Sequence, residues 1–260
     1  MTLWQGIVLG LVQGLTEFLP VSSSGHLALV EALTGVKTPG VFVEVMLHVA
    51  TLGSVLLVYG RRLGRIALGA LRGQPEELRY VGYLVIGTIP AGIVGVLLHR
   101  VLEERFHALV YVGFGFFLTG ILLWSTRRRH GERPRPTAGT ASIVGLGQAS
   151  AVLLHMSRSG STISAALWAG LELGTAAEFS FLLSVPAILG AALIEGRHMS
   201  VNVGAVGALP LAAGCLVALA SGVFAIRFLV ALITKGRFYA FAPYCWTVGV
   251  FTILYALWRG

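Results

Sequence analysis

Apolar stretches long enough to cross a bilayer recur at 42–60, 81–98, 108–126, 176–194, 203–226 and 239–258. A membrane-spanning helix needs about 20 such residues, so each of the six predicts a span. Ile89-Pro90-Ala91 predicts a kink in the second of them. Two further apolar stretches are each cut in half by serines and glycines. Residues 3–20 are apolar except for Gln5, Gln13, Thr16 and Glu17, the Ser22–Gly25 run breaks the helix, and 24–35 form a short second arm. Residues 141–154 and 160–173 flank a second serine run in the same way. Arms this short predict hairpins that enter and leave one face of the membrane, with their irregular backbone enclosed by protein. Gly6, Gly10 and Gly14 form a small-residue stripe on which a neighbouring helix can pack closely.

The two interrupted stretches are copies. Gln13, Ser22, Ser24 and Gly25 return as Gln148, Ser157, Ser159 and Gly160, each 135 positions later, and Glu44 answers Glu178 at an offset of 134. The chain therefore divides into a first repeat (1–126), a linker (127–140) marked by Pro134 and Pro136, and a second repeat (141–260). Each repeat holds one hairpin (3–35 and 141–173) and three spans. An odd number of crossings forces the halves into opposite orientations. The fold class is an all-α integral membrane protein with an inverted-topology repeat, an architecture whose sites lie where the repeats meet.

Composition agrees with this class. Of 260 residues, 56% are hydrophobic and 12% charged, with mean hydropathy +0.83, against about 25% charged in soluble domains. Met1–Gln5 has neither a basic n-region nor a cleavage site after it, so no signal peptide is predicted. The net charge of +8 is nearly all arginine, Lys37 and Lys235 being the only lysines. The arginines gather in two connections, one holding Arg61, Arg62, Arg65, Arg72 and Arg79, the other Arg127, Arg128, Arg129, Arg133 and Arg135. That distribution obeys the positive-inside rule and puts both connections, including the 127–140 linker, in the cytoplasm; no nucleic-acid partner is implied. In 99–107, on the opposite side, Arg100 and Arg105 balance Glu103 and Glu104. Every acidic residue is glutamate, which excludes aspartyl-phosphate chemistry and Asp-rich metal motifs. Cys215 and Cys245 lie in apolar segments and read as buried thiols.

The chemistry concentrates in the two serine runs. Ser22, Ser23, Ser24 and Gly25 precede one short helix, and Ser157, Ser159, Gly160 and Thr162 open another. Free N–H groups and positive helix ends would converge there on an anion. Arg158 adds a permanent charge whose fork matches phosphate oxygens. Gln13 and Glu17 lie one helical turn apart, and a carboxylate beside phosphate calls for a bridging divalent cation, Mg²⁺ or Ca²⁺. His26 offers an acid, base or nucleophile, with Ser22 or Ser23 as the alternative nucleophile. Glu44 and His48, one turn apart on a span, are candidates for a supporting shell, with Glu31, Glu172 and Glu178 behind them. Together these groups point to hydrolysis of a phosphoester or phosphoanhydride within the membrane. A carrier of the same lipid phosphate, without hydrolytic activity, is the rival reading: it would use Arg158 but no nucleophile.

Gln13 to His26 matches throughout a Glu/Gln-x-x-x-Glu motif running into Phe-Leu-Pro-Val-Ser-Ser-x-Gly-His. Ser157-Arg158-Ser159-Gly160-Ser161-Thr162 retains the core of a second motif, Pro-Gly-x-Ser-Arg-Ser-Gly-x-Thr. On these motifs the chain resembles, over essentially its whole length, the undecaprenyl pyrophosphate phosphatase family of the bacterial cytoplasmic membrane. The resemblance implies hydrolysis of a C55 polyprenyl diphosphate to the monophosphate, in the service of cell-wall synthesis and bacitracin resistance. It also implies a site open to the outer face, a divalent metal on Gln13 and Glu17, Arg158 on the diphosphate, and attack by Ser23 or His26. It leaves homodimerisation open. Two departures stand out. Leu154-His155 replaces the family's Pro-Gly, which makes His155 a candidate additional base, and Tyr244 is succeeded by Cys245 where the family tends to carry arginine. The loops are also similar to those of type-2 lipid phosphatases, but these need a histidine six positions after the arginine, and Ser164 stands there.

Overall fold

The computed structural model describes residues 1–35, 41–98, 108–129, 131–198 and 206–259. These fold into helices α1 (Leu3–Phe18), α2 (Ser23–Thr34), α3 (Val41–Leu71), α4 (Pro75–Leu97), α5 (Leu109–Ser125), α6 (Ala138–Leu154), α7 (Arg158–Trp168), α8 (Leu173–His198), α9 (Ala208–Ile233) and α10 (Ala242–Arg259). A short 3-10 turn, Phe238–Phe241, leads into α10. The protein is an all-helical, multi-pass membrane protein. Among the described residues, five segments are long and apolar enough to cross a bilayer: α3, α4, α8, α9 and the turn with α10. The sixth expected span is α5, described over 17 residues. The balanced loop at 99–107 and the start of the expected 203–226 span lie outside the described residues.

Where helices begin and end differs from expectation in three places. The first arginine-rich connection is mostly helix, since α3 runs on to Leu71 and α4 begins at Pro75. Arginine is a good helix former, and Arg62 is anchored by Glu77 at 3.2 Å, by Glu178 at 3.1 Å and over the Tyr80 ring at 4.9 Å. Only the tight turn at Gly73, with φ of 70°, separates the two helices. The second arm stops at Trp168 rather than 173, because the left-handed Gly170 (φ 84°) turns the chain onto Arg133. Arg133 N–H donates to the Gly170 carbonyl and Glu172 N–H to the Arg133 carbonyl, both at 3.0 Å. Finally, α9 extends to Ile233, beyond the expected end at 226.

Packing is set by the small residues. A β-carbon on Gly10 would lie 2.1 Å from the Gly214 carbonyl oxygen, so α1 and α9 touch backbone to backbone. α6 packs on α4 in turn, while α3 meets α8 and α5 meets α10. A core of Phe18, Phe179, Phe181, Ile163, Leu167, Leu182 and Leu229 closes the centre. Leu57, Leu97, Leu209, Phe224 and Leu254 are exposed on the outside, as a lipid-facing surface requires. Arg135 pairs with Glu76 at 3.1 Å, which brings the two arginine-rich connections to one end of the bundle.

Candidate active site

Thr2 caps α1 reciprocally with Gln5, and the helix carries Gln13 and Glu17 on one buried face. Leu19 to Ser22 interrupt it, and α2 starts at Ser23. Ser22 sits in the left-handed region (φ 66°), which costs a non-glycine residue about 1–2 kcal/mol. Its side chain makes no cap to α2; the hydroxyl donates instead to the His155 carbonyl at 3.1 Å. His155 is the other left-handed non-glycine among the described residues (φ 54°) and terminates α6 where the expected glycine is missing. Ser157 then caps α7 in the ordinary way, accepting from Gly160 N–H at 3.0 Å.

The two breaks meet at Glu17, whose side chain is only 5% exposed. Its Oε1 accepts from Arg158 Nη2 at 2.5 Å. Its Oε2 accepts from the Ser23 hydroxyl at 2.7 Å and from Gln13 Nε2 at 3.1 Å, with His48 Nε2 at 3.5 Å. Two buried atoms beside this cluster have no hydrogen-bond partner among the described residues: Arg158 Nη1, a donor, and Gln13 Oε1, an acceptor. Leaving such groups unpaired costs about 1–3 kcal/mol each, which is tolerable where a ligand is to be received.

Glu17, Ser23 and Arg158 open onto a cavity of about 450 Å³, with Ser24, Glu44, His48 and His155 also at its wall. Apart from Gln148 and Thr88, the remaining lining is apolar or small, with Ala91, Gly92 and Gly95 on α4, Val152 and Met156, and Pro186, Ile188 and Ala191 on α8. A polar end and a long apolar floor suit an amphiphile with an anionic head.

The other residues singled out in the sequence lie behind this wall. Ser159 donates to the Leu19 carbonyl at 3.1 Å and Thr162 meets the Ser180 hydroxyl at 2.6 Å, so both knit the break to its surroundings. Ser157 and Gly160 form the cap, and Gly25 packs so tightly on Phe116 that a β-carbon would lie 2.7 Å from that ring. His26 is not part of the cavity wall; its Nε2 meets the Tyr244 hydroxyl at 2.7 Å. His48 comes closer to Glu17 than its assignment to a supporting shell implied. Two participants were missed: Tyr244, whose neighbour Cys245 alone drew notice, and Gln148, whose Oε1 is buried without a partner at the cavity. The repeated register with Gln13 was the signal available for Gln148.

These features define a class: a polytopic helical membrane protein with an enclosed carboxylate–guanidinium–serine centre at the head of an apolar cavity. The comparison with known proteins is specific. Residues 6–251 match the family described as bacitracin resistance protein BacA, and the chain belongs to that family. A protein of Desulfosudis oleivorans named undecaprenyl-diphosphatase is 41% identical over 278 residues, covering 98% of both chains. Proteins of the same name from Desulforapulum autotrophicum and Alkaliphilus metalliredigens are 39% and 40% identical, covering 98% and 99% of this chain and 98% and 100% of their own.

Proposed function

We propose that this protein is a membrane phosphatase that hydrolyses undecaprenyl diphosphate to undecaprenyl phosphate and inorganic phosphate. The observation that carries the reading is the Ser23 hydroxyl, hydrogen-bonded at 2.7 Å to a carboxylate that Arg158 also holds. A serine beside a fixed base is an activated nucleophile, and a carrier has no use for one. The names of relatives aligned over nearly the full chain support the same reading.

Ser23 Oγ attacks the terminal phosphorus of the diphosphate, and Glu17 takes the hydroxyl proton. The bond from that phosphorus to the bridging oxygen breaks, and lipid monophosphate leaves with the proton that Glu17 returns. Water then attacks the phosphoserine, giving a proton to Glu17; the Oγ–phosphorus bond breaks, Oγ recovers that proton, and phosphate departs. Arg158 binds phosphoryl oxygens through its unpaired Nη1 while Nη2 stays on Glu17. The N–H groups at the start of α2 add donors to the same oxygens. Glu17 and Gln13 Oε1 are a fitting oxygen donor set for Mg²⁺ or Ca²⁺, which when bound would offset phosphate charge against the carboxylate.

Two inverted halves, 1–126 and 141–260, with hairpins that re-enter one face, are the architecture we infer around this site. The exchange of partners supports it: α1 packs against α9 of the second half, and α6 against α4 of the first. With both arginine-rich connections in the cytoplasm, the cavity opens to the outer leaflet.

The test is phosphate release from undecaprenyl diphosphate by the purified protein in detergent with Mg²⁺. Release is expected from the wild type, with loss in Ser23→Ala and Arg158→Ala and a phosphoserine trapped at position 23. No release, together with movement of lipid phosphate between the leaflets of vesicles, would establish a carrier instead.

A further inference from the structure

His26 is a motif residue that does not line the cavity, and its surroundings say what it does. Nδ1 lies 2.8 Å from the Ser22 carbonyl oxygen. A carbonyl can only accept, so Nδ1 carries the proton, and in the neutral ring Nε2 is the acceptor. The Tyr244 hydroxyl donates to it at 2.7 Å, with the two rings parallel to within 1°. Phe116 closes the third side, edge-on at 4.9 Å between ring centroids. Both nitrogens are therefore spoken for, and His26 is not among the residues that line the cavity.

The Ser22 carbonyl held by this ring belongs to the left-handed residue immediately before Ser23. It also accepts the His26 backbone N–H at 3.2 Å. The hydroxyl of the same residue is bound to the His155 carbonyl. The peptide that aims Ser23 at Glu17 is thus fixed from two sides, by His155 at the second break and by Tyr244 on α10 through His26.

We infer that His26 and Tyr244 are positioning residues: they clamp the strained Ser22 peptide so that Ser23 meets Glu17, and His26 does not attack phosphorus. This inference rests on the assignment of Ser23 as nucleophile, and the experiment separates the two. Turnover of undecaprenyl diphosphate is measured on purified full-length protein, with kcat and KM resolved and folding checked by gel filtration and melting. Tyr244→Phe keeps the ring and loses one hydrogen bond, so kcat should fall about fivefold with KM unchanged. His26→Asn places an amide N–H where Nδ1–H was and should retain at least about tenfold more kcat than His26→Ala, because a hydrogen-bonded clamp can be replaced by another donor. Should His26→Asn be as inactive as His26→Ala while folded, or should phosphate be trapped on position 26, the inference falls. A Ser23→Ala protein with wild-type turnover would instead remove the underlying assignment.

Discussion

The two helix breaks share a register but divide the labour. Position 23 and position 158 are equivalent, 135 apart; one is serine, the other arginine, and both end on Glu17. The equivalent of Glu17 is Val152, which lines the apolar part of the cavity. The backbones differ as well. At the second break the left-handed residue closes the incoming helix and Ser157 caps the outgoing one. At the first break the left-handed residue is itself the cap position of α2, and its hydroxyl is spent on the other break. The N–H groups that Ser157 would satisfy by symmetry are thus left open at α2. One break has become an anchor that presents a guanidinium, and the other a strained loop that presents a serine hydroxyl.

Under that division the largest effect comes from removing the shared acid. Glu17→Gln should lower kcat about 10³-fold or more, because base and ion-pair partner vanish together. It also leaves the Arg158 charge buried without a counter-ion, which should cost about 3–5 kcal/mol of stability. Val152→Thr, at the equivalent position, should leave turnover within about twofold, since it alters one side chain of the apolar floor and no charge. Phosphate release and thermal melting in detergent report both effects.

Helix packing offers a second contrast in the same register. The stripe Gly6, Gly10, Gly14 corresponds to Ala141, Gly145, Ala149. A β-carbon on Gly10 would meet the Gly214 oxygen at 2.1 Å, whereas on Gly145 it would meet the Gly87 oxygen at 2.9 Å. Gly10→Ala should therefore destabilise by about 2–3 kcal/mol and Gly145→Ala by about 1 kcal/mol, each read as a change in melting temperature. Equal losses would mean the two helix pairs are equally close, against the structure.

Gln13 and Gln148 make a third pair. Both carry a buried carbonyl oxygen without a partner, but only Gln13 has a carboxylate one turn on. Gln13→Ala should raise the Mg²⁺ concentration for half-maximal phosphate release about tenfold. Gln148→Ala should leave it unchanged. A shift in both would place the cation between the halves rather than on α1.

Much of this was legible in the sequence because it is written locally. Apolar runs and their interruptions reflect which side chains tolerate lipid, and Gln13 and Glu17 share a face through helical periodicity alone. What the sequence withheld was partner choice. Arg158 was matched to a phosphate and Glu17 to a cation, yet the two are bonded to each other across 141 positions. His26 carries acid–base chemistry in its type, but the hydroxyl its Nε2 meets belongs to Tyr244, 218 positions away. Helix ends were misplaced for a related reason. Arg62 looked like a loop residue by charge, and its anchors Glu77, Glu178 and Tyr80 all lie on other helices.

The smallest effect bears most directly on the strain at the first break. Ser22→Ala loses the bond to the His155 carbonyl and keeps the left-handed backbone, so it should destabilise by about 1 kcal/mol. Ser22→Gly loses the same bond but relieves the strain, which is worth about 1–2 kcal/mol, so its stability should stay near wild type or slightly above. Turnover should move the other way from stability. Glycine relaxes the peptide that aims Ser23, so kcat should fall about threefold or more in the better-folded variant, since small misplacements are costly at a reacting group. Ser157→Ala, where φ is −61°, should lose about 1 kcal/mol of cap energy with no such divergence. If Ser22→Gly gains stability and keeps full turnover, the left-handed residue contributes nothing to presenting the nucleophile, and the two breaks differ in sequence but not in task.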